Sequence, residues 1–167
     1  FAVENNIILN DVIKFPVGSD TPTKASGLQL PDESVVPIGG GKDSIVSLEA
    51  LRQAGHPYRM IAINAGKPIK GVMAINDQLS PILITRKLDS SLFELNDEGV
   101  MNGHVPITGI LSFIMVCGAV LYGYNSVVMS NEGSASEGNV EFAGIDVNHQ
   151  YSKSLEFELD FDGFIKT

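Results

Sequence analysis

The chain has 167 residues, 44% of them hydrophobic, with 17 glycines and a formal net charge of −9. That is room for one globular domain with a substantial core, and a composition typical of α/β proteins rather than disordered ones. The acidic balance argues against nucleic acid or an anionic membrane surface as partner. A single cysteine excludes a disulfide framework and fits a reducing, cytoplasmic compartment.

The chain begins with Phe1, and no basic, apolar, small-residue leader follows it, so it is expected to be a segment of a longer polypeptide. Residues 1–34 form an N-terminal segment with little chemistry. Ile7–Leu9 and Val12–Phe15 predict a hairpin about Asn10–Asp11, and Pro16–Pro31 reads as a linker. Residues 35–167 are expected to form the functional domain. Val35, Val36 and Ile38 suit a strand at the centre of a sheet. Three glycines, Gly39, Gly40 and Gly41, then allow a sharp turn, and Asp43-Ser44 opens a helix with Ile45, Leu48 and Leu51 on one stripe. Strand, glycine turn and helix start make an anion site, because unpaired N–H groups and the positive dipole end converge. The alternative is a glycine turn without a ligand.

Gly55 is a candidate C-cap. Residues 58–63 predict a second strand, 67–79 a helix weakened by Gly71 and β-branched residues, and 82–85 a third strand. Residues 106–122 predict a helix, and 126–129 a fourth strand. Alternating strands and helices imply a doubly wound, mostly parallel sheet with helices on both faces. Ligands in such sheets bind beyond the carboxyl ends of the strands, where Gly39–Gly41, Asn64 and Arg86 all fall. Arg86 offers a fork of donors for a phosphate, or else pairs Asp89 or Glu94 on the surface. The stretch from Gly99 to Asn131 holds no Asp, Glu, Lys or Arg. Its helix spans only about 25 Å, short of a ~30 Å hydrocarbon core, and no cation anchors either end. It reads as a helix covered on most sides, with Cys117 buried in it.

The loop fails the Walker pattern, since Val36 replaces the first glycine and Asp43 the Ser or Thr after Lys42. It fails the dinucleotide fingerprint at Ser44. Gly39-Gly40-Gly41-Lys42-Asp43-Ser44 instead resembles the S-G-G-x-D-S signature of PP-loop ATP pyrophosphatases, with Gly39 where serine is usual. That resemblance implies a grip on the pyrophosphate of ATP.

Further segments follow in one order: Arg86-Lys87-Leu88-Asp89, Asn102 to Gly109, Met129-Ser130-Asn131-Glu132, Ser134-Ala135-Ser136 and Asn148 to Glu158. Together with the loop they resemble the UDP-N-acetylmuramoyl-L-alanyl-L-glutamate epimerase family of peptidoglycan synthesis, over roughly residues 35–158. Gly133 stands where a basic residue is expected, and full-length members are much longer. The resemblance implies ATP- and magnesium-dependent inversion of the terminal glutamate of a nucleotide-linked muramoyl dipeptide. It implies that Gly39 to Ser44 hold pyrophosphate, with Lys42 and Arg86 neutralising it, and that Asp43 and Glu132 hold magnesium. Glu132, His149 and Lys153 become candidates for proton transfer, with His149 and Lys153 on one face if that segment is helical. Another PP-loop adenylating enzyme, or a non-catalytic ATP-binding module completed by the rest of its chain, are the alternatives.

Overall fold

A computed structural model describes residues 1–9, 13–14, 27–75, 79–101, 103–138 and 140–166. The turn expected at Asn10–Asp11 and most of the following linker lie outside the described residues, and the described Ile7–Leu9 form no strand. The chain divides into two compact units. One comprises Leu28–Lys87 and Thr108–Glu132; the other comprises Phe1–Gly27, Leu88–Ile107 and Gly133–Thr167.

The first unit is built on a four-stranded sheet. Its strands are β1 (Ser34–Pro37), β2 (Tyr58–Ile63), β3 (Ile82–Ile84) and β4 (Ser126–Val127), in the spatial order β3-β2-β1-β4. Every neighbouring pair is parallel. The α/β reading of the sequence therefore holds. Between the strands run α1 (Lys42–Ala54) and α2 (Lys67–Ile75), and α4 (Ile107–Tyr122) precedes β4. The helices expected at 67–79 and 106–122 are these last two; residues 76–78 lie outside the described residues.

Alternation along the strands divides the core in two. Val36, Ile38, Met60 and Ala62 meet Leu48 of α1 and Met73 of α2 on one face. Val35, Ile61 and Ile82 meet Met115 and Ala119 of α4 on the other. Val35, Val36 and Ile61 are wholly buried, as the two-sided cover of a parallel sheet requires. On the α4 face a Cβ at Gly118 would come within 2.9 Å of Ile61 Cδ1, so the glycine lets this helix lie close to the strands. The chain winds outward from β1 through β2 to β3, then returns to β1's other side at β4. The strand order reverses there, which puts the switch point between β1 and β4.

Gly41 is the N-cap of α1, so the helix starts at Lys42, one residue before the expected Asp43. Gly55 closes it in the left-handed region at φ 66°, and its N–H and that of His56 bond the carbonyls of Arg52 and Leu51. At the amino ends of the strands, Ser34 Oγ lies 2.8 Å from His56 Nε2 and 2.7 Å from Ser126 Oγ. That network satisfies the buried Ser34 hydroxyl and ties β1 to β4 and to the turn before β2.

The second unit carries α3 (Ser91–Asp97), the antiparallel hairpin of β5 (Val140–Phe142) and β6 (Ile145–Val147), and α5 (Leu155–Ile165). The hairpin turns through Ala143 and Gly144, both at positive φ, the twist that a two-residue turn needs. Ser154 caps α5, its hydroxyl accepting from Phe157 N at 3.1 Å.

Candidate functional site

At the carboxyl end of β1 the backbone passes through Gly39 and Gly40 into the N-cap Gly41. Gly40 sits at φ +82°, and a Cβ there would lie 3.0 Å from Pro68 Cβ and 3.1 Å from Ile69 N. A glycine is thus required there by the close approach of α2. The same contact brings the amino ends of α1 and α2 to one turn, where both positive dipole ends lie and where helix starts leave N–H groups without intrahelical partners, Pro68 having none to offer. Cβ atoms at Gly39 and Gly41 would meet nothing within 4 Å, so those two positions face open space. Lys42 is exposed, and Asp43 is half-buried in the first turn of α1. Ser44 is buried and donates its hydroxyl to Gly41 O at 3.0 Å, which stiffens the turn.

Beyond β4 the chain runs through Met129, Ser130 and Asn131 to the exposed Glu132. Ser130 Oγ lies 2.7 Å from Ser47 Oγ in α1, fastening this loop beside the glycine turn across the switch point. Sequence reasoning passed over Ser47. Its only signal was its place one turn after the glycine loop, and its partner is far along the chain.

At the end of β3, Arg86 is positioned by Asn64. The Asn64 amide donates to Arg86 O and accepts from Arg86 N, both at 2.8 Å. Asn64 itself sits at φ 49°, a left-handed conformation that asparagine tolerates. Among the described residues, Arg86 Nε is the buried side-chain nitrogen with no hydrogen-bond partner. An orphaned guanidinium N–H is costly unless an acceptor meets it. An anionic oxygen is the acceptor that it suits best.

Glu132 ends the sheet unit, whereas His149 and Lys153 belong to the other unit. His149 lies in a turn and Lys153 in a short 3₁₀ helix, Tyr151–Lys153, so the α-helical face proposed for the pair does not form. His149 instead meets His104 edge-on, with ring centroids 5.6 Å apart. Their separation in sequence gave no hint of this pairing. Asn148 Nδ2 donates to Ala135 O at 2.7 Å, and Leu155 N donates to Ser136 Oγ at 3.2 Å. These bonds stitch Ser134–Ser136 to the segment around His149. A cavity of about 450 Å³ opens there, lined by Ser136, Asp146, Asn148, Tyr151, Ser154 and Glu156. Desolvation, then the Glu156 and Asp160 carboxylates, push the Tyr151 hydroxyl above its usual pKa. Gly138 borders this cavity; a Cβ there would strike the Asp146 carboxylate.

Cys117, expected to be buried in α4, is exposed. Its helix covers the sheet with the Met115 and Ala119 stripe and turns the thiol outward. Among the described residues no helix is long and apolar enough to cross a membrane.

The MurL N-terminal domain family matches residues 1–167 of the chain. The chain belongs to that family. A protein of Xanthomonas oryzae pv. oryzae named UDP-N-acetyl-alpha-D-muramoyl-L-alanyl-L-glutamate epimerase is 42% identical over 166 residues, 99% of this chain and 37% of that protein. Proteins of the same name from Micromonospora sp. and Salinispora tropica are 48% and 43% identical over 72% and 86% of the chain. The matches take in 27% and 29% of those proteins, so the chain spans about a third of the length of the relatives it matches.

Proposed function

We propose that this chain is the nucleotide-binding part of an epimerase that inverts the terminal L-glutamate of UDP-N-acetylmuramoyl-L-alanyl-L-glutamate. The observation that carries the reading is the match of the whole chain to the MurL N-terminal domain, together with the name shared by its relatives. The glycine turn supports the nucleotide half. Gly39 and Gly41 face open space beside two helix amino ends, and the orphaned Arg86 guanidinium follows β3 at the same carboxyl edge of the sheet, two strands from β1.

The substrate α-carboxylate attacks the α-phosphorus of ATP, and the bond to the leaving pyrophosphate breaks. The resulting acyl-adenylate carries no negative charge at the carbonyl, so it acidifies the α-hydrogen that a free carboxylate would not. A base removes that proton, and an acid returns one to the opposite face. Water then cleaves the acyl–phosphate bond to give AMP and the inverted glutamate. Lys42 and Arg86 neutralise the pyrophosphate charge, and the free N–H groups of the turn bind its oxygens. Among the described residues no group of three His, Cys, Asp or Glu side chains gathers as a metal site. Asp43 and Glu132 would hold a magnesium ion that shields the phosphate charge, a role that needs only one or two carboxylates. Glu132, His149 and Lys153 remain the proton-transfer candidates, and His104 orients the His149 ring edge-on. ATP and a nucleotide-linked precursor place the work in the cytoplasm.

The test uses the full-length protein in deuterated water with ATP, magnesium and the muramoyl dipeptide. Deuterium should enter the glutamate α-position, and the D-epimer should accumulate with release of pyrophosphate. Pyrophosphate release with an amide product would assign a different adenylating enzyme. Nucleotide binding without any turnover would reduce the chain to a binding module.

A further inference from the structure

A helix lying on a sheet normally buries one stripe and turns polar residues to water. α1 turns Glu49, Arg52 and Gln53 outward, with Ile45 and Val46 exposed beside them. In contrast, α4 carries no charged residue along its length. Its inner stripe, Gly109, Ser112, Met115 and Ala119, is buried. Its outer stripe repeats at helical spacing: Ile110, Phe113, Cys117, Val120 and Leu121 are all exposed, Leu121 by 82%. The helix expected to be covered on most sides therefore packs its inner stripe on the sheet and keeps an exposed outer stripe. A continuous apolar strip of this kind is uncommon on the surface of a monomeric soluble protein and marks a contact surface.

We propose that the outer face of α4 is the docking surface for the part of the full-length protein that lies beyond the N-terminal domain. The family itself is an N-terminal domain, and at least 63% of each of the three relatives lies outside the match. A segment joined covalently to this domain is present at an effective concentration of about millimolar, well above that of a second copy at ordinary protein concentrations. It therefore reaches the strip first. The occupant is apolar where it meets Phe113, Val120 and Leu121, because no charged partner is available along the helix. The proposal stands apart from the epimerase reading and needs only membership of the family.

Cys117 lies in the middle of the strip and is the chain's single cysteine, so its thiol reports cover directly. Maleimide labelling of Cys117, read from the mass of its peptide, is followed in the native full-length protein and in the same protein under denaturant. Labelling should be about 100-fold slower in the native protein. Leu121→Asp should restore most of that rate while circular dichroism and the urea midpoint stay within those of a folded protein. If Leu121→Asp disrupts the fold, Leu121→Ser provides the same comparison with a milder change. Native labelling as fast as in denaturant would overturn the proposal. Protection in the 167-residue chain that grows with concentration would assign the face to a second copy. Concentration-independent protection there would place the cover within these residues, and either result overturns it.

Discussion

Replacing Gly41 with Val separates binding by the glycine turn from its folding. Gly41 has φ −95° and ψ 175°, an extended conformation open to any residue, and its Cβ would meet nothing within 4 Å. Valine is a poorer N-cap than glycine, so a stability loss of about 1 kcal/mol is expected. The added isopropyl group would fill the open side of the turn, where the N–H groups must reach a phosphate. Loss of two or three such contacts should weaken ATP–magnesium binding at least tenfold, about 1.4 kcal/mol. Gly40→Val should behave in the opposite way. Its φ of +82° is strained for a β-branched residue, and its Cβ would press on Pro68 and Ile69 at 3.0–3.2 Å. Left-handed strain of about 1–2 kcal/mol adds to the displacement of α2, so this variant should lose stability first. Calorimetric titration with ATP–magnesium and urea unfolding of both variants provide the assay. Unchanged affinity in a folded Gly41→Val protein would remove the phosphate from the turn. A Gly40→Val protein as stable as the parent would refute the steric argument.

Ile61→Ala removes a side chain with no exposed surface from beneath α4 and should cost about 2–5 kcal/mol in urea unfolding. Ser154→Ala removes the α5 cap, which accepts from Phe157 N, and should cost about 1 kcal/mol while raising amide exchange in that first turn. Glu49 accepts two bonds from Arg52 and one from Gln53, and they hold its carboxyl at about 2. Because the folded pKa is depressed, its contribution is complete above the unfolded value near 4.5 and fades as the pH falls toward about 2. Arg52→Ala should return the carboxyl resonance of Glu49 toward the ordinary range in an NMR titration, and an unshifted midpoint would refute the pairing.

Local chemistry made much of the sheet unit legible in the sequence. Apolar runs marked β1 through β4, Gly55 marked the end of α1, and the glycine turn marked the switch point. All of these are short-range signals, set by backbone freedom and side-chain alternation within a few residues. What the sequence could not supply were relations between distant segments. The reversal of strand order at β4 depends on which edge of β1 the returning chain finds. The demand for glycine at position 40 comes from α2, a helix further along the chain whose Pro68 lies 3.0 Å from the missing Cβ. Cys117 reads as core because its helix is apolar throughout, and only packing tells the inner stripe from the outer one. His104 and His149 lie far apart in the chain, yet their rings meet edge-on. Periodicity fixes how a segment folds on itself. Which of its faces meets another segment is settled by closing the chain around a common core, where contacts distant in sequence compete for the same surface.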